Sequence, residues 1–148
     1  MPHAVVRRAA LLCLLASTPL FAQTTAPTGT IDATRFAPAL GIDLSTVERL
    51  APTLYRRDIT TGDGAALRLG ERVTFRIRTA RADGTVLDTG NVPITLEWRS
   101  GLFVPGVERG IAGMRIGGHR QLILGPGAGG ARSDDGVVVI DVELLAAN

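Results

Sequence analysis

The stretch that decides the fold is Gly101-Leu-Phe-Val-Pro-Gly-Val-Glu-Arg-Gly-Ile-Ala-Gly-Met-Arg-Ile-Gly-Gly118. Pro105 fixes φ and suits the first turn of a helix. Val107, Ile111 and Met114 follow at i, i+4 and i+7, which places them on one apolar stripe. The spacing predicts a short helix from Val107 to Met114, after which glycines turn the chain into a strand. Because so short a helix cannot bury its stripe alone, the flanking segments should wrap around it.

The segments on either side carry strand patterns. Val73, Phe75 and Ile77 alternate with polar residues, a period of two that predicts a strand with one buried face. Further strands are predicted over 53–60, 86–88, 94–98, 119–124 and 137–145, with a tight turn at Asp83-Gly84. We therefore expect the α+β class: an antiparallel sheet of five to six strands wrapped over one short central helix.

The other face of the 72–78 strand carries arginines. We interpret this face as solvated and in need of acidic neighbours, in preference to a phosphate-binding stripe. The last strand has the same alternation and offers Asp141 and Glu143 on its polar face. We therefore predict that Arg76 and Arg78 lie across from these two carboxylates.

The N-terminus has the pattern of a signal peptide. Arg7-Arg8 precedes an apolar run that is too short to span a membrane, and a small residue, Ala22, marks the expected cleavage site. We expect residues 1–22 to be removed, residues 23–50 to form a flexible lead-in and 51–148 to form the domain. Within the lead-in, 42–50 could form one short helix; a solvated tether is preferred over a dimerisation arm.

Composition argues against several kinds of site. Cleavage would leave equal numbers of arginine and acidic residues, so a nucleic-acid partner is not expected. It would also remove Cys13, the sole cysteine, and leave His119 as the one histidine, which argues against a thiol nucleophile or a zinc site. The glycine-rich stretch 125–133 lacks the lysine of a phosphate-binding loop and precedes a strand. No metal and no cofactor are expected.

Several short motifs follow one another in a fixed order: Asp83-Gly84, Leu87-Asp88, Phe103-Val104, Gly106, Gly110, Gly113-Met114, Gly117 and Asp141-Val142-Glu143-Leu144-Leu145. From about residue 54 to 145 this order resembles the FKBP family of peptidyl-prolyl cis-trans isomerases. The signal peptide adds a resemblance to the exported bacterial members. The implied fold is a sheet wrapped over one helix, as predicted from the patterns above.

The resemblance also implies a site. Catalytic roles would fall to Asp88 at the wall, to the backbone N–H of Val104 as the anchor of the substrate carbonyl, and to Leu87. The implied substrate-binding residues are Ile77, Ile94, Phe103, Val107 and Ile140. The family usually has aromatic side chains at Ile77, Leu87 and Ile140, and a large one at Val107, so the implied pocket is divergent.

Two functions remain open from the sequence. One is a prolyl isomerase of reduced activity that acts on X-Pro bonds of exported proteins in the periplasm or outside the cell. The other is a non-catalytic module of the same fold that binds peptides or a partner protein. Proline-containing polypeptides are the expected substrates, without stable membrane insertion after cleavage, and the oligomeric state is left open.

Overall fold

The computed structural model describes residues 30–128 and 136–148. Within these ranges lie one α-helix and seven strands: β1 Glu48–Ala51, β2 Leu54–Thr60, β3 Arg72–Arg81, β4 Val86–Asp88, β5 Ile94–Glu97, α1 Pro105–Ile111, β6 His119–Leu124 and β7 Val138–Ala147. The expected signal peptide and most of the glycine-rich loop lie outside the described residues. Within them, no helix is long and apolar enough to cross a membrane.

The strands form one antiparallel sheet in the order β1-β2-β6-β7-β3-β4, with β5 also paired to β3. The expected α+β architecture of a sheet over one helix is confirmed, and β1 is the strand that the sequence analysis missed. The segment Glu-Arg-Leu-Ala of β1 has no period-two alternation, so no pattern marked it.

The helix α1 packs against the sheet and against the loop after β6 through glycines. A side chain at Gly110 would lie 2.6 Å from the Leu122 side chain, and one at Gly106 would lie 2.4 Å from the carbonyl oxygen of Ala128. These close approaches explain why two positions of so short a helix lack side chains. The predicted helix boundaries were wrong: α1 begins at Pro105 and ends at Ile111.

The helix ends early because Gly113 adopts a φ of +74°, outside the helical region. The predicted stripe is nevertheless buried, since Val107, Ile111 and Met114 all belong to the main core cluster. Backbone carbonyls at the C-terminal end of a helix lack partners within the helix. Here Arg120 of β6 supplies them, since its Nη1 donates to the carbonyls of Gly110 and Ala112 at 2.9 and 3.0 Å.

The predicted ion pairs of the sheet are confirmed. Arg76 lies opposite Glu143 and Arg78 opposite Asp141, with N–O distances of 2.7 and 3.3 Å. The strand β3 therefore presents its arginines to carboxylates of β7, on the face turned away from α1. The Arg76–Glu143 pair is exposed and so contributes little to stability, typically below about 1 kcal/mol, whereas the Arg78–Asp141 pair is partly buried.

The segment before β1 covers the rest of that outer face. Ile31 and Leu40 are buried there, against side chains of β2, β6 and β7. Side chains of the sheet hold its backbone, since Arg57 donates to the Gly41 carbonyl at 2.9 Å and Gln121 to the Leu40 carbonyl at 3.3 Å. The preference for a solvated tether is thus wrong for residues 31–41.

The helix considered for 42–50 is also absent. A single 3-10 turn, Leu44–Thr46, is capped by Asp43, whose Oδ1 accepts from the Ser45 N–H at 2.9 Å. Hydrogen bonds from Ser45 lower the pKa of the Asp43 carboxyl. The chain then enters β1, because pairing with β2 satisfies more backbone groups than an isolated helical turn would.

Candidate active site

The floor of the candidate site is apolar and belongs to the main core. Val107 of α1 and Ile140 of β7 are 5% and 8% exposed. Ile77 and Phe103 are partly buried and pack against the same cluster. Four of the eight residues implied by the resemblance therefore share one packed cluster between the helix and the sheet.

The wall that carries Asp88 is placed by strand register. Ile140 on β7 lies directly opposite Thr79 on β3, and Thr79 lies opposite Asp88 on β4. Directly opposed residues of antiparallel strands point to the same face of a sheet. Since neighbouring strands are about 4.8 Å apart, Asp88 lies about 10 Å from Ile140, with Thr79 between them.

A tight turn fixes the Asp88 carboxylate. Its Oδ1 accepts a hydrogen bond from the Gly90 N–H at 2.9 Å. Gly90 has a φ of +67°, and a Cβ at this position would lie 2.8 Å from the Ile77 carbonyl oxygen. The turn therefore folds back onto the backbone of β3 beside Ile77, which keeps Asp88 next to the candidate floor.

The remaining predicted residues lie at the surface. Leu87, Ile94 and Val104 are 44%, 40% and 38% exposed, which is high for large apolar side chains. Ile94 is placed by its register opposite Phe75 of β3. These three residues are not part of the buried cluster, so they do not contribute to the floor of the candidate site.

Val104 is the N-cap of α1, one helical turn before Val107. Its carbonyl accepts from the N–H groups of Val107 and Glu108, at 2.9 and 3.1 Å. Its own N–H has no hydrogen-bond acceptor among residues 30–128 and 136–148. A free donor at the start of a helix is suited to a carbonyl oxygen of a ligand.

Glu108 holds the loop that leads to this donor. Its Oε1 accepts from the backbone N–H of Gly101 at 2.6 Å and from that of Phe103 at 3.2 Å. The loop is also held by aromatic packing, because the Phe103 ring contacts the rings of Phe75 and Trp98 at centroid distances of 6.3 and 6.1 Å. Both contacts immobilise the residues next to Val104.

Sequence reasoning missed Thr79 and Glu108. Thr79 is the next residue after Phe75 and Ile77 on the same face of β3, so extending the two-residue alternation would have found it. No pattern signals Glu108, since its partners are backbone groups of a preceding loop. The part of the chain that is described contains no group of three or more His, Cys, Asp or Glu side chains able to hold a metal ion.

The family model described as FKBP-type peptidyl-prolyl cis-trans isomerase matches residues 64–145, more than half of the chain. The chain belongs to this FKBP family. The match includes every residue of the candidate site, from Ile77 to Ile140.

Individual relatives agree with this assignment. An FK506-binding protein 4 of Rhizopus delemar is 33% identical over 109 residues, which cover 68% of this chain and 28% of that protein. An FK506-binding protein of Streptomyces anulatus is 29% identical over 97 residues, covering 58% of this chain and 78% of that protein. The chain thus spans less than a third of the length of the Rhizopus relative.

Two solved structures share the fold. FkpA from Escherichia coli aligns with a TM-score of 0.60 and 21% identity, covering 75% of this chain and 55% of that chain. AtFKBP13 aligns with a TM-score of 0.56 and 21% identity, covering 64% and 93%. Both confirm the FKBP-like architecture of a sheet over one short helix.

Proposed function

We propose that this FKBP family member is a slow peptidyl-prolyl cis-trans isomerase that acts on X-Pro bonds of exported proteins. The observation that carries the proposal is the backbone N–H of Val104, which has no acceptor among the described residues and lies one helical turn from an apolar floor formed by Val107 and Ile140. A proline ring needs an apolar surface, and the carbonyl beside it needs a donor.

The reaction requires no acid, base or nucleophile. An X-Pro bond rotates slowly because resonance keeps it planar, with a barrier of about 18–20 kcal/mol. The twisted transition state has lost that resonance and its charge separation, so an apolar site favours it over the planar ground state. The Val104 N–H holds the substrate carbonyl while the bond turns, which is selective binding of the transition state.

Asp88 acts as the polar group at the wall of the site. Its Oδ1 is engaged by Gly90, and the carboxylate makes no ion pair with any described residue. A carboxylate fixed in this way is able to interact with the dipole of the twisted bond. Leu87, which precedes it, supplies an apolar side chain at the rim.

The activity is proposed to be low because aliphatic residues form the walls. Aromatic side chains present a large apolar surface on only two rotatable bonds. The aliphatic side chains of Ile77, Leu87 and Ile140 present a smaller apolar surface. Val107 adds only a small surface to the floor. The proline ring is therefore held loosely, which weakens binding of the transition state.

Export rests on the amino-acid pattern of residues 1–22. Mass spectrometry of the protein recovered from the cell envelope tests it, and a mature N-terminus close to Ala22 is the expected result. A chain that keeps Met1 in the cell would contradict the proposal. The clients are then proline-containing polypeptides of the periplasm or the extracellular medium.

A second candidate function is a non-catalytic module that binds polypeptides. It is favoured by the exposure of Leu87 and Ile94, apolar side chains that suit a binding surface. Refolding of a protein with a slow, proline-limited phase separates the two functions. An isomerase accelerates that phase at substoichiometric amounts, whereas a binding module leaves its rate unchanged and retains the unfolded chain.

A further inference from the structure

The strand that carries Asp88 is weakly held by the sheet. β4 has three residues, all of them exposed, and it lies at the end of the strand order beside β3. Within the described residues, register pairs join Thr79 to Asp88 and Ala80 to Val86, so Leu87 is the extra residue of a bulge. A two-stranded hairpin is marginally stable by itself. A contact from elsewhere in the chain is therefore needed to keep Asp88 in a fixed place.

Such a contact comes from residues 31–41 on the outer face of the sheet, which we call the covering segment. The N–H of Ala37 donates to the carbonyl of Ala82, the first residue of the turn between β3 and β4, at 2.8 Å. The Ala37 side chain also lies against Gly84, since a Cβ added at Gly84 would be 3.1 Å from it. The covering segment therefore contacts the tip of the hairpin with both its backbone and a side chain.

The same segment packs against β3 next to the hairpin. Leu40 is 6% exposed and shares a buried cluster with Ala80 and Val139. Ala80 is the residue of β3 that pairs with Val86 of β4. The backbone at Leu40 is fixed as well, because the Gln121 side chain donates to its carbonyl at 3.3 Å. The covering segment thus supports β3 at the point where β4 is attached.

The covering segment and the candidate site lie on opposite faces of the sheet. Asp88 is opposite Thr79, which in turn is opposite Ile140 of the candidate floor. Successive residues of a strand point to opposite faces, so the next residue, Ala80, points to the covering segment, where it packs with Leu40. The segment therefore acts on Asp88 from behind the sheet, through the backbone of the hairpin.

We propose that the covering segment is a positioning element of the candidate site. The contact of Ala37 with the hairpin holds β4, and with it the Asp88 carboxylate, at the wall of the site. This inference rests on the proposed isomerase function, but the placement of Asp88 can be measured without any activity. Gly90 reports on it, because its N–H donates to Oδ1 of Asp88 at 2.9 Å.

The principal variant is Ala37→Pro in the full chain. Ala37 has a φ of −62°, which proline also adopts, so the substitution removes the N–H while the φ of this residue stays allowed. We expect the amide NMR resonance of Gly90 to shift and its hydrogen exchange to accelerate. The kcat/KM for a proline tetrapeptide should fall by about five- to tenfold, because small displacements of a catalytic group are costly.

Tyr55→Phe is the matched control. The Tyr55 hydroxyl donates to Oδ1 of Asp32 at 2.5 Å, so this substitution loosens the first end of the covering segment and leaves the Ala37 contact in place. We expect both the Gly90 resonance and kcat/KM to stay unchanged. If thermal unfolding shows that Ala37→Pro does not fold, Leu40→Ala takes its place. It opens a cavity beside Ala80 and should change both readouts in the same direction.

Combining Ala37→Pro with Asp88→Ala distinguishes positioning from general destabilisation. If the segment acts through Asp88, Ala37→Pro should cost little further activity once the carboxylate is absent. The same relative loss in both backgrounds would overturn the proposal, as would an unchanged Gly90 resonance in Ala37→Pro or an equal response in Tyr55→Phe. A wild-type chain without isomerase activity would instead refute the proposed function, and the Gly90 resonance alone would then decide whether the segment positions Asp88.

Discussion

The carboxylate of Glu108 accepts a hydrogen bond from the backbone N–H of Gly101 at 2.6 Å, so a helix side chain holds the loop that enters the helix. The same oxygen accepts from Phe103, the residue before Val104. The loop backbone engages this carboxylate, and we expect Glu108 to position the Val104 N–H on which the proposed activity depends.

Replacing Glu108 with alanine should lower kcat/KM for X-Pro isomerisation by about tenfold, because small displacements of a catalytic group are costly. Glu108→Gln keeps an acceptor oxygen and should recover most of the activity. Both are measured in a protease-coupled assay, with thermal unfolding as the check on the fold. Equal losses in the two variants would show that the carboxylate does not act through these hydrogen bonds.

Asp88→Ala should lower kcat/KM by roughly tenfold, as loss of a preorganised electrostatic group does. Asp88→Asn keeps the acceptor for the Gly90 N–H but removes the charge. It therefore distinguishes the contribution of the hydrogen bond in the turn from that of the negative charge. We expect its activity to lie between those of the wild type and the alanine variant. Wild-type activity in a folded Asp88→Ala protein would remove Asp88 from the mechanism.

Gly90→Ala should destabilise the fold by about 2–4 kcal/mol, from backbone strain at positive φ and from overlap with the Ile77 carbonyl. Gly70→Ala is the matched control, since Gly70 has a φ of +89° but no atom within 4 Å of its added Cβ. It should cost only the strain, about 1–2 kcal/mol. Urea unfolding measures both, and equal losses would show that close approach to Ile77 is unimportant.

Arg120→Met should lower the free energy of unfolding by about 2–4 kcal/mol, because it removes buried hydrogen bonds to two helix carbonyls and to Asp58. The pair with Asp58 is bidentate, at 2.5 and 3.0 Å. Arg76→Met, which breaks an exposed pair with Glu143, should cost less than about 1 kcal/mol. A loss at Arg120 no larger than that at Arg76 would contradict this account.

The sheet and its polar face were predictable because their signals are local. The alternation around Phe75 and Ile77 indicated β3, and the matching alternation of the last strand gave the partners of Arg76 and Arg78. The hairpin turn followed from Asp83-Gly84, where the Thr85 N–H donates to Asp83 and lowers the pKa of its carboxyl. Such patterns depend on neighbouring residues only.

The covering segment and the details of the site were not predictable in this way. Ile31 and Leu40 are nine positions apart in a stretch without strand or helix periodicity, and only tertiary packing buries them. The Val104 N–H, which has no acceptor in the described part of the chain, is likewise a property of the folded loop that Glu108 holds. A role for this group could be expected from a family resemblance, but its hydrogen bonding required coordinates.

The most direct test of the central claim is the wild-type rate on a proline tetrapeptide in a protease-coupled assay, beside that of Leu87→Phe. Leu87 is exposed at the rim, so a ring should fit there and hold proline more firmly. We expect wild-type catalysis above the spontaneous rate, and a faster reaction with Leu87→Phe. No rate above the spontaneous reaction in either protein would contradict the catalytic account and leave the binding module in its place.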